Sequence, residues 1–315
     1  MDPIIIGVDT GNKQIKTATQ VFVSGVQVSD VKKGIFQDND TIFFNGKYYT
    51  PIIKRNGYKK DKTVDDDYFV LTLIGIMREL RERGIDPVKT DEPVKVILAV
   101  GLPPAHLVWN KEAFGKYFRR GLVSFEYNDE PVTLNIVNAH VLIQGYSAIF
   151  NHYAEIRSFR SAYIVDIGGY TTDVIGVKSG TTSTDMCFSE DFGMIHLCNR
   201  IHADMNTKFM NIPTEDQIEE MFADPTYGEE LGTEFMDVAA NNAQDYVKSL
   251  LINLREKNID LVLSRGVFVG GGSARLRKYI EHSDLVRNPM FITDVRANAI
   301  GYETITKVKY AKRKG

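Results

Sequence analysis

The fold of this chain is indicated first by one stretch of sequence, Asp166-Ile167-Gly168-Gly169-Tyr170-Thr171-Thr172-Asp173. It follows the apolar run Tyr163-Ile164-Val165, which is typical of a buried strand, and apolar alternation resumes at Val174. The glycines are therefore predicted to lie in a hairpin turn between two strands. In P-loop and dinucleotide-binding folds the glycine-rich phosphate loop opens a helix instead, so the resumed alternation argues against both.

A second acidic glycine turn occurs near the N terminus. Asp9-Thr10-Gly11-Asn12-Lys13 follows the apolar residues 4–8, and alternation resumes at Ile15. The same pattern thus appears once in each half of the chain. Glycine lets a main chain approach a phosphate closely, and carboxylates hold Mg²⁺ through water. This weak internal repeat predicts two related α/β lobes that hold a nucleotide in the cleft between them.

A third glycine motif, Gly270-Gly271-Gly272-Ser273, follows the apolar residues 266–269 and precedes an amphipathic pattern. A strand-to-helix junction of this kind leaves N–H groups and bare backbone where a flat ring or a phosphate can lie. Taken alone, the junction is better explained as a tight turn without a ligand, whereas each acidic loop alone is equally an ordinary hairpin turn. The ordered set of three favours a nucleotide site.

Composition limits the possible functions. The chain has 315 residues, of which 43% are hydrophobic, so a substantial core and two domains are expected. A net charge of −3 gives no reason to expect direct binding of nucleic acid, and the basic residues 307–314 are interpreted as a solvated end. Cys187 and Cys198 suit neither a disulfide framework nor a metal site. No signal peptide or membrane span is evident, which predicts a cytoplasmic protein.

Two domains are predicted from the order of these patterns. Residues 1–158 form the first, with a small inserted β lobe at about 34–64, and residues 159–297 form the second, with a helical subdomain at about 193–258. A last helix at residues 298–312 is expected to pack back on the first domain. Asn45-Gly46 predicts a hairpin in the β lobe, and Thr214 with Gln217 predicts a capping box.

Further helices are predicted from apolar periodicity and capping residues. One is expected to begin at Asp65-Asp66-Asp67 and to end near Gly84, and another to run from Asn110 to Arg120. Others are expected at residues 146–156, 193–210 and 233–257.

The three motifs, in this order, resemble those of the actin, heat-shock chaperone and hexokinase ATPase superfamily, and most closely those of the ParM-type bacterial actins that segregate plasmids. The resemblance extends from residue 4 to about 305. It implies an actin-like (ribonuclease-H-like) two-domain α/β ATPase fold with a nucleotide cleft between two related lobes. It also implies ATP or GTP as the ligand, together with Mg²⁺.

The resemblance assigns roles to individual residues. Asp9 and Asp166 are the catalytic carboxylates that hold Mg²⁺ through water. Asn12 stands where many members have Ser, which leaves its contact with the β-phosphate open, and Lys13 is an additional base beside the family lysine at Lys16. The full set of implied nucleotide-binding residues is Thr10, Gly11, Asn12, Lys13, Lys16, Gly168, Gly169, Tyr170, Thr171, Gly270, Gly271, Gly272 and Ser273.

A fourth segment, Val141-Leu142-Ile143-Gln144-Gly145, resembles the junction where the family keeps a Glu or Gln that orients the attacking water. Gln144 cannot deprotonate water and acts only by positioning it, so slow hydrolysis is expected unless assembly completes the geometry. Ile143 departs from the family's usual Pro. His140 is the alternative, because it exchanges a proton near neutral pH, although it also fits simple alternation on a strand face.

The leading functional hypothesis is a polymerising ATPase. The resemblance implies that ATP closes the lobes, that closed subunits form filaments and that hydrolysis destabilises them. It implies plasmid segregation through a separate DNA-binding adaptor, without direct contact to nucleic acid or membrane. The alternatives are another bacterial cytoskeletal actin, a small-molecule kinase of the same superfamily, or a nucleotide-dependent chaperone. The aromatic-rich residues 34–63 are equally a subunit interface or a self-packed β unit.

Overall fold

A computed structural model of the chain describes residues 2–32, 40–59, 61–90, 92–224 and 226–314. Within these ranges the strands are β1 (Ile4–Thr10), β2 (Gln14–Lys16), β3 (Val21–Val23), β4 (Val26–Ser29), β5 (Ile42–Phe44), β6 (Lys47–Pro51), β7 (Val94–Leu102), β8 (Gly121–Tyr127), β9 (Glu130–Ile143), β10 (Ser161–Ile167), β11 (Thr172–Lys178), β12 (Thr181–Glu190), β13 (Arg265–Val269) and β14 (Met290–Ile292). The α-helices are α1 (Asp67–Glu82), α2 (Pro104–Phe118), α3 (Tyr153–Ile156), α4 (Met194–Phe209), α5 (Glu215–Ala223), α6 (Tyr227–Leu231), α7 (Thr233–Glu256), α8 (Gly270–Arg275), α9 (Arg277–Glu281) and α10 (Ala297–Lys314). Among the described residues no helix is both long and apolar enough to cross a bilayer.

The chain divides into two compact units. The first comprises Met1–Asn151 with Arg296–Gly315, and the second comprises His152–Val295. The last helix, α10, therefore belongs to the first unit. It approaches strands β1 and β7 closely because both strands carry a glycine at the contact. A Cβ at Gly7 would lie 2.0 Å from the Ala299 carbonyl oxygen, and one at Gly101 would lie 2.0 Å from the Tyr302 hydroxyl.

The first unit is built on a nine-stranded sheet with the order β3-β2-β1-β7-β9-β8-β5-β6-β4. Strands β1, β2 and β3 form an antiparallel meander, and β7 and β9 run parallel to β1. The parallel strand β7 is almost continuously apolar and buried, as expected for a strand covered on both faces.

The predicted Asn45-Gly46 hairpin is confirmed, with both residues at positive φ. Its strands, β5 and β6, do not form an isolated lobe, because β5 pairs with β8 and so extends the large sheet. Residues 34–39 and residue 60 of this predicted lobe lie outside the described residues.

The large sheet curls around α1. Its two end strands, β3 and β4, are joined by only Ser24 and Gly25, so the two ends of the sheet must lie close together. A Cβ at Gly25 would lie 2.1 Å from the Lys54 carbonyl oxygen, which shows how tight this closure is. Helix α1 carries a large buried surface, including Phe69 and Leu73, and forms the centre of the core of this unit.

The second unit contains a five-stranded sheet with the order β12-β11-β10-β13-β14. Strands β10, β11 and β12 form an antiparallel meander, and β13 and β14 run parallel to β10. This is the same arrangement as β3-β2-β1-β7-β9 of the first unit. The predicted pair of related, ribonuclease-H-like α/β folds is therefore confirmed.

Helical predictions in the second unit agree closely with the structure. Helices α4 and α7 occupy the predicted ranges, and their apolar faces pack together in the core through residues such as Leu197, Ile201 and Tyr246. The predicted capping box is present: the Gln217 N–H donates to the Thr214 hydroxyl at 3.2 Å, and the Thr214 N–H donates to the Gln217 side chain at 2.8 Å.

Two other helix predictions were wrong in extent. Helix α2 begins at Pro104 rather than at Asn110, and proline is favoured at such a first position because it has no N–H to leave unpaired. The helix predicted at residues 146–156 is instead a series of turns, a 3-10 turn at Phe150–His152 and the short α3. The reason is tertiary: a Cβ at Gly301 would lie 1.8 Å from the Ser147 carbonyl oxygen, so α10 presses against this backbone.

Candidate nucleotide site

The first acidic glycine loop is the predicted hairpin between β1 and β2. Asp9 lies opposite Lys16 and Thr10 lies opposite Ile15. The Lys16 ammonium lies 3.4 Å from an Asp9 carboxylate oxygen, and the Asp9 side chain is only 7% exposed. This pairing offsets the cost of burying a carboxylate at the end of a strand.

The carbonyl groups of this loop are held by the surrounding protein. The Ser24 hydroxyl donates to the Gly11 carbonyl at 2.6 Å, and the Lys62 ammonium donates to the Thr10 carbonyl. In a trans peptide the C=O and N–H groups point in opposite directions. The N–H groups of Gly11 and Asn12 therefore point away from these partners.

Glycine is required at position 11 for a steric reason. A Cβ there would lie 2.6 Å from the Gln14 carbonyl oxygen and 3.5 Å from the Lys16 ammonium. The Ser24 N–H also donates to the Lys13 carbonyl at 2.9 Å, so one serine secures two carbonyls of the same turn. Ser24 was missed by the sequence analysis, because nothing near it marks a contact with residues 11–13.

The second acidic glycine loop is the predicted hairpin between β10 and β11. Asp166 lies opposite Asp173, and Ile167 lies opposite Thr172. The turn is closed by the Gly168 N–H, which donates to the Thr171 carbonyl at 2.9 Å.

Helix α4 secures the carbonyls of this second loop. The Met194 N–H donates to the Gly168 carbonyl at 3.0 Å, and the Ile195 N–H donates to the Gly169 carbonyl at 2.9 Å. By the same peptide geometry, the N–H groups of Gly169 and Tyr170 point away from α4. The positive end of the α4 dipole lies behind them and favours an anion on their open side.

Residues that support the second loop were missed by the sequence analysis, which assigned Gly193 only the start of a helix. A Cβ at Gly193 would lie 2.3 Å from the Tyr170 carbonyl carbon. The Phe192 carbonyl, from the residue before Gly193, also holds the end of the loop. It accepts hydrogen bonds from the hydroxyls of Thr172 and Tyr246, the latter at 2.7 Å. Burial raises the pKa of Tyr246, so this hydroxyl keeps its proton and remains a donor.

The triple glycine lies against the end of β10 in the same unit. Gly270 has a φ of +87°, and a Cβ there would lie 2.4 Å from an Asp166 carboxylate oxygen. A Cβ at Gly272 would lie 2.6 Å from the Ile167 side chain, whereas one at Gly271 would meet only Val295, at 3.8 Å. Gly270 and Gly272 are therefore required by packing, and Gly271 is not.

Ser273, the fourth residue of this predicted motif, is buried. Its hydroxyl donates to the Val269 carbonyl at 2.5 Å. This is a bond from within α8 back to the carbonyl four residues earlier, so the Ser273 hydroxyl is engaged with the backbone of its own helix.

Gln144 lies immediately after β9, where two neighbouring elements hold its backbone. The Gln144 N–H donates to the Leu102 carbonyl at 2.9 Å, and the Gly145 N–H donates to the Asn298 side-chain oxygen at 2.8 Å. Asn298 is the first residue of the predicted last helix, but its hydrogen bond to this junction could not be predicted from the sequence.

His140 lies within β9, opposite Ala99 of β7 and on the same face of the strand as Leu142. Its Nε2 lies 3.4 Å from the Asn138 side-chain nitrogen. Four residues separate His140 from Gln144, which is about 13 Å along a strand. The two candidates therefore occupy different places, and Gln144 is the one at the strand end.

A buried charge network supports the base of the first hairpin and was not predicted. Glu79 of α1 is fully buried and accepts hydrogen bonds from the hydroxyls of Thr17 (2.5 Å) and Thr19 (2.8 Å) and from Arg83 (2.7 Å). Burial alone would raise the pKa of Glu79, but the hydrogen bonds from Thr17, Arg83 and Thr19 and the Arg83 charge lower it below its ordinary value.

The network continues into α10. Arg83 also donates to Glu303 at 2.8 Å, and Glu303 in turn accepts the N–H of Gly7 in β1 at 3.1 Å. Desolvation would lower the pKa of Arg83, but its bonds to Glu79 and Glu303 raise it. The network thus joins α1, β1 and α10 beneath the first loop.

Comparisons with known proteins identify the fold. Residues 164–282 match a family model described as the C-terminal part of the archaeal actin homologue MreB-like proteins. The native crystal structure of Ta0583, an archaeal actin homologue, superposes with a TM-score of 0.77 at 17% identity, covering 97% of this chain and 99% of that one. The chain has the actin-like fold.

Two further actin-like structures support the same conclusion. The apo pSK41 ParM protein has a TM-score of 0.69 at 17% identity, with both chains covered completely. The Alp12 filament structure has a TM-score of 0.67 at 15% identity, covering 98% of this chain and 100% of that one. Ta0583 has also been solved as a complex with ADP. No curated protein matches the chain. The predicted resemblance to the actin-like superfamily, including ParM, is confirmed.

Proposed function

We propose that this protein is an actin-like ATPase that assembles into filaments in response to a bound nucleotide. The observation that carries the proposal is the shared construction of the two glycine loops. In each loop, carbonyls are bonded to surrounding residues, so consecutive N–H groups face the opposite side. The two loops stand at equivalent places in two related folds, and backbone N–H groups beside glycine suit phosphate oxygens.

Asp9 and Asp166 are the residues that would hold Mg²⁺ through its water shell. Both carboxylates are nearly buried at strand ends beside glycine loops, and Mg²⁺ bound to phosphates is usually held by one or two carboxylates through water. When bound, Mg²⁺ neutralises negative charge on the phosphate oxygens. Lys16, which is paired with Asp9, supplies a further positive charge at the first loop.

The triple glycine suits the nucleoside part of the ligand. A Cβ at Gly271 would meet only Val295, at an ordinary contact distance of 3.8 Å, so its bare backbone is available to a flat ring or a sugar. Both ATP and GTP satisfy this description. The ADP complex of Ta0583 shows that a protein with this fold binds an adenine nucleotide.

Gln144 is proposed to orient the attacking water. Its backbone is fixed at the end of β9, and its amide both donates and accepts hydrogen bonds without taking a proton. Catalysis by positioning alone predicts slow hydrolysis in the isolated subunit.

Filament assembly is proposed from the likeness to Alp12, which has been solved as a filament. The two compact units would correspond to actin-like domains I and II, with α4–α7 as the helical subdomain of the second. A ParM-like role would couple such filaments to plasmid DNA through an adaptor protein. The chain's net charge of −3 agrees with an adaptor rather than with direct binding of DNA.

Electron microscopy of the purified protein with Mg²⁺ and ATP, with Mg²⁺ and ADP, and without nucleotide tests the proposal. Filaments are expected with ATP and disassembly with ADP, and Asp166→Asn is expected to lack Mg²⁺-dependent hydrolysis. A protein that stays monomeric at high concentration while it phosphorylates a metabolite would be a kinase of the same fold instead.

A further inference from the structure

Tyr68 reaches the first glycine loop from helix α1. It is the second residue of the helix, and its hydroxyl lies 2.9 Å from the Asn12 side-chain oxygen. Asn12 stands in the middle of the turn between β1 and β2. The contact therefore joins the start of the central helix of the first unit to the tip of its glycine loop.

The burial of Tyr68 fixes the orientation of the Asn12 amide. Tyr68 is only 1% exposed, and a buried hydroxyl must find an acceptor for its hydrogen. Of the two ends of the Asn12 amide, only the oxygen accepts a hydrogen bond. The oxygen must therefore face Tyr68, and the nitrogen Nδ2, with its two hydrogens, must face away.

The Tyr68 hydroxyl remains a donor throughout the physiological range. Burial raises the pKa of Tyr68, and the negative charge of Asp67 adds to the effect. The amide orientation is consequently independent of pH near neutrality.

Lys62 links Tyr68 to the same loop by a second route. Its ammonium lies 5.1 Å from the centre of the Tyr68 ring, within the range of a cation–π contact, and it donates to the Thr10 carbonyl. The Tyr68 ring thus contacts Lys62, which holds the Thr10 carbonyl, and the Tyr68 hydroxyl bonds the Asn12 side chain in the same loop.

We propose that Tyr68 is a positioning residue that directs the Asn12 Nδ2 hydrogens toward a phosphate of the bound nucleotide. The inference rests on the proposed function. The Asn12 N–H is one of the two loop N–H groups that point away from Lys62 and Ser24, so an amide fixed in this orientation adds donors beside them. Without Tyr68 the amide would be free to turn its oxygen, which repels phosphate, to that side.

The test is nucleotide affinity measured by titration calorimetry on the full chain. Tyr68→Phe is expected to weaken ATP and ADP binding about tenfold, since one hydrogen bond to a charged group is lost or randomised. Adenosine, which has no phosphate, should bind Tyr68→Phe as well as it binds the unaltered protein. Tyr127→Phe is the matched control, because Tyr127 is equally buried in the same unit but bonds Asp40 instead of the loop.

Two variants at position 12 complete the design. Asn12→Asp keeps an oxygen for Tyr68 and replaces the Nδ2 donors by a second oxygen, so it should fold and lose at least as much affinity for ATP. In Asn12→Ser the short hydroxyl needs no orientation by Tyr68. Adding Tyr68→Phe to Asn12→Ser should therefore change the affinity less than twofold.

Three results would overturn the inference alone: unchanged ADP binding by Tyr68→Phe, unchanged ATP binding by Asn12→Asp, or a full tenfold effect of Tyr68→Phe in the Asn12→Ser protein. An equal loss of adenosine and ADP affinity in Tyr68→Phe would assign Tyr68 a general structural role instead. If the unaltered protein bound neither ATP nor ADP, the proposed function would fail first, and this inference with it.

Discussion

Gly193 lies directly against the backbone of Tyr170, and a Cβ at position 193 would come within 2.3 Å of the Tyr170 carbonyl carbon. Because this glycine has no side chain, the first N–H groups of α4 reach the Gly168 and Gly169 carbonyls. The second loop is therefore shaped by the start of a helix more than twenty residues further along the chain. A single methyl group added at position 193 would therefore be expected to displace the loop.

Gly193→Ala should displace the second loop and weaken ATP binding by more than tenfold. The overlap with loop backbone, which cannot move aside as a side chain can, should also lower the free energy of unfolding by about 2 kcal/mol. Calorimetric titration and urea unfolding measure the two effects. Gly57→Ala is the control, because a Cβ there meets nothing within 4 Å. Equal ATP affinity in the two variants would contradict the proposed role of this loop.

The triple glycine allows a structural role to be separated from a binding role. Gly272→Ala should be destabilised by about 2 kcal/mol, since its Cβ would lie 2.6–2.9 Å from Ile167 and Met194. Gly271→Ala should keep the stability of the unaltered protein and bind nucleotide more weakly. Thermal unfolding and nucleotide titration distinguish the two. Undiminished nucleotide affinity in Gly271→Ala would show that no part of the ligand lies against this backbone.

Ser24 secures the first loop, so Ser24→Ala should weaken ATP binding several-fold. The loss of one hydrogen bond to the Gly11 carbonyl should cost about 1 kcal/mol of stability. Ser29→Ala is a matched control, because the Ser29 hydroxyl also bonds a backbone carbonyl, that of Val31, but on an exposed strand end. The prediction is wrong if the two serine variants bind ATP equally well.

Glu79 makes stability depend on pH. Its pKa in the folded protein lies below its ordinary value of 4.5, so its contribution is complete above pH 4.5 and is lost as the pH falls through the folded pKa. Glu79→Gln should lower the free energy of unfolding by about 3 kcal/mol at pH 7, since Arg83 loses a buried partner.

Urea unfolding at pH 7 and pH 3.5 measures this effect. The difference between Glu79→Gln and the unaltered protein should shrink at the lower pH. Glu281→Gln, which removes the exposed partner of Arg277, serves as control and should change stability by less than about 0.5 kcal/mol. A difference for Glu79→Gln that is the same at both pH values would contradict the lowered pKa.

Local sequence signals predicted the parts of the site that are formed by neighbouring residues. The two hairpins, the strand-to-helix glycines and the Thr214 capping box each depend on residues within a few positions of one another. Periodicity and turn chemistry are therefore sufficient to recognise them. The order of the three glycine motifs then led to the fold.

Features that depend on distant residues could not be predicted in this way. The turns after Gln144 replace a helix because Asn298 and Gly301 contact them from the far end of the chain. The hairpin of β5 and β6 extends the large sheet because it meets β8, which lies far along the sequence. From the sequence, Glu79 would be placed on the exposed face of an amphipathic helix. Its burial depends on hydrogen bonds from Thr17 and Arg83, and the contact with Thr17 is distant in sequence.

In the proposed function, a bound nucleoside triphosphate drives assembly and its hydrolysis reverses it. Sedimentation of the purified protein with Mg²⁺ and ATP, with phosphate release followed in the same samples, tests this most directly. The protein is expected to pellet soon after ATP is added and to return to the supernatant as phosphate is released, and ADP is expected to give no pellet. Protein that stays in the supernatant with ATP, or an equal pellet with ATP and ADP, would contradict it.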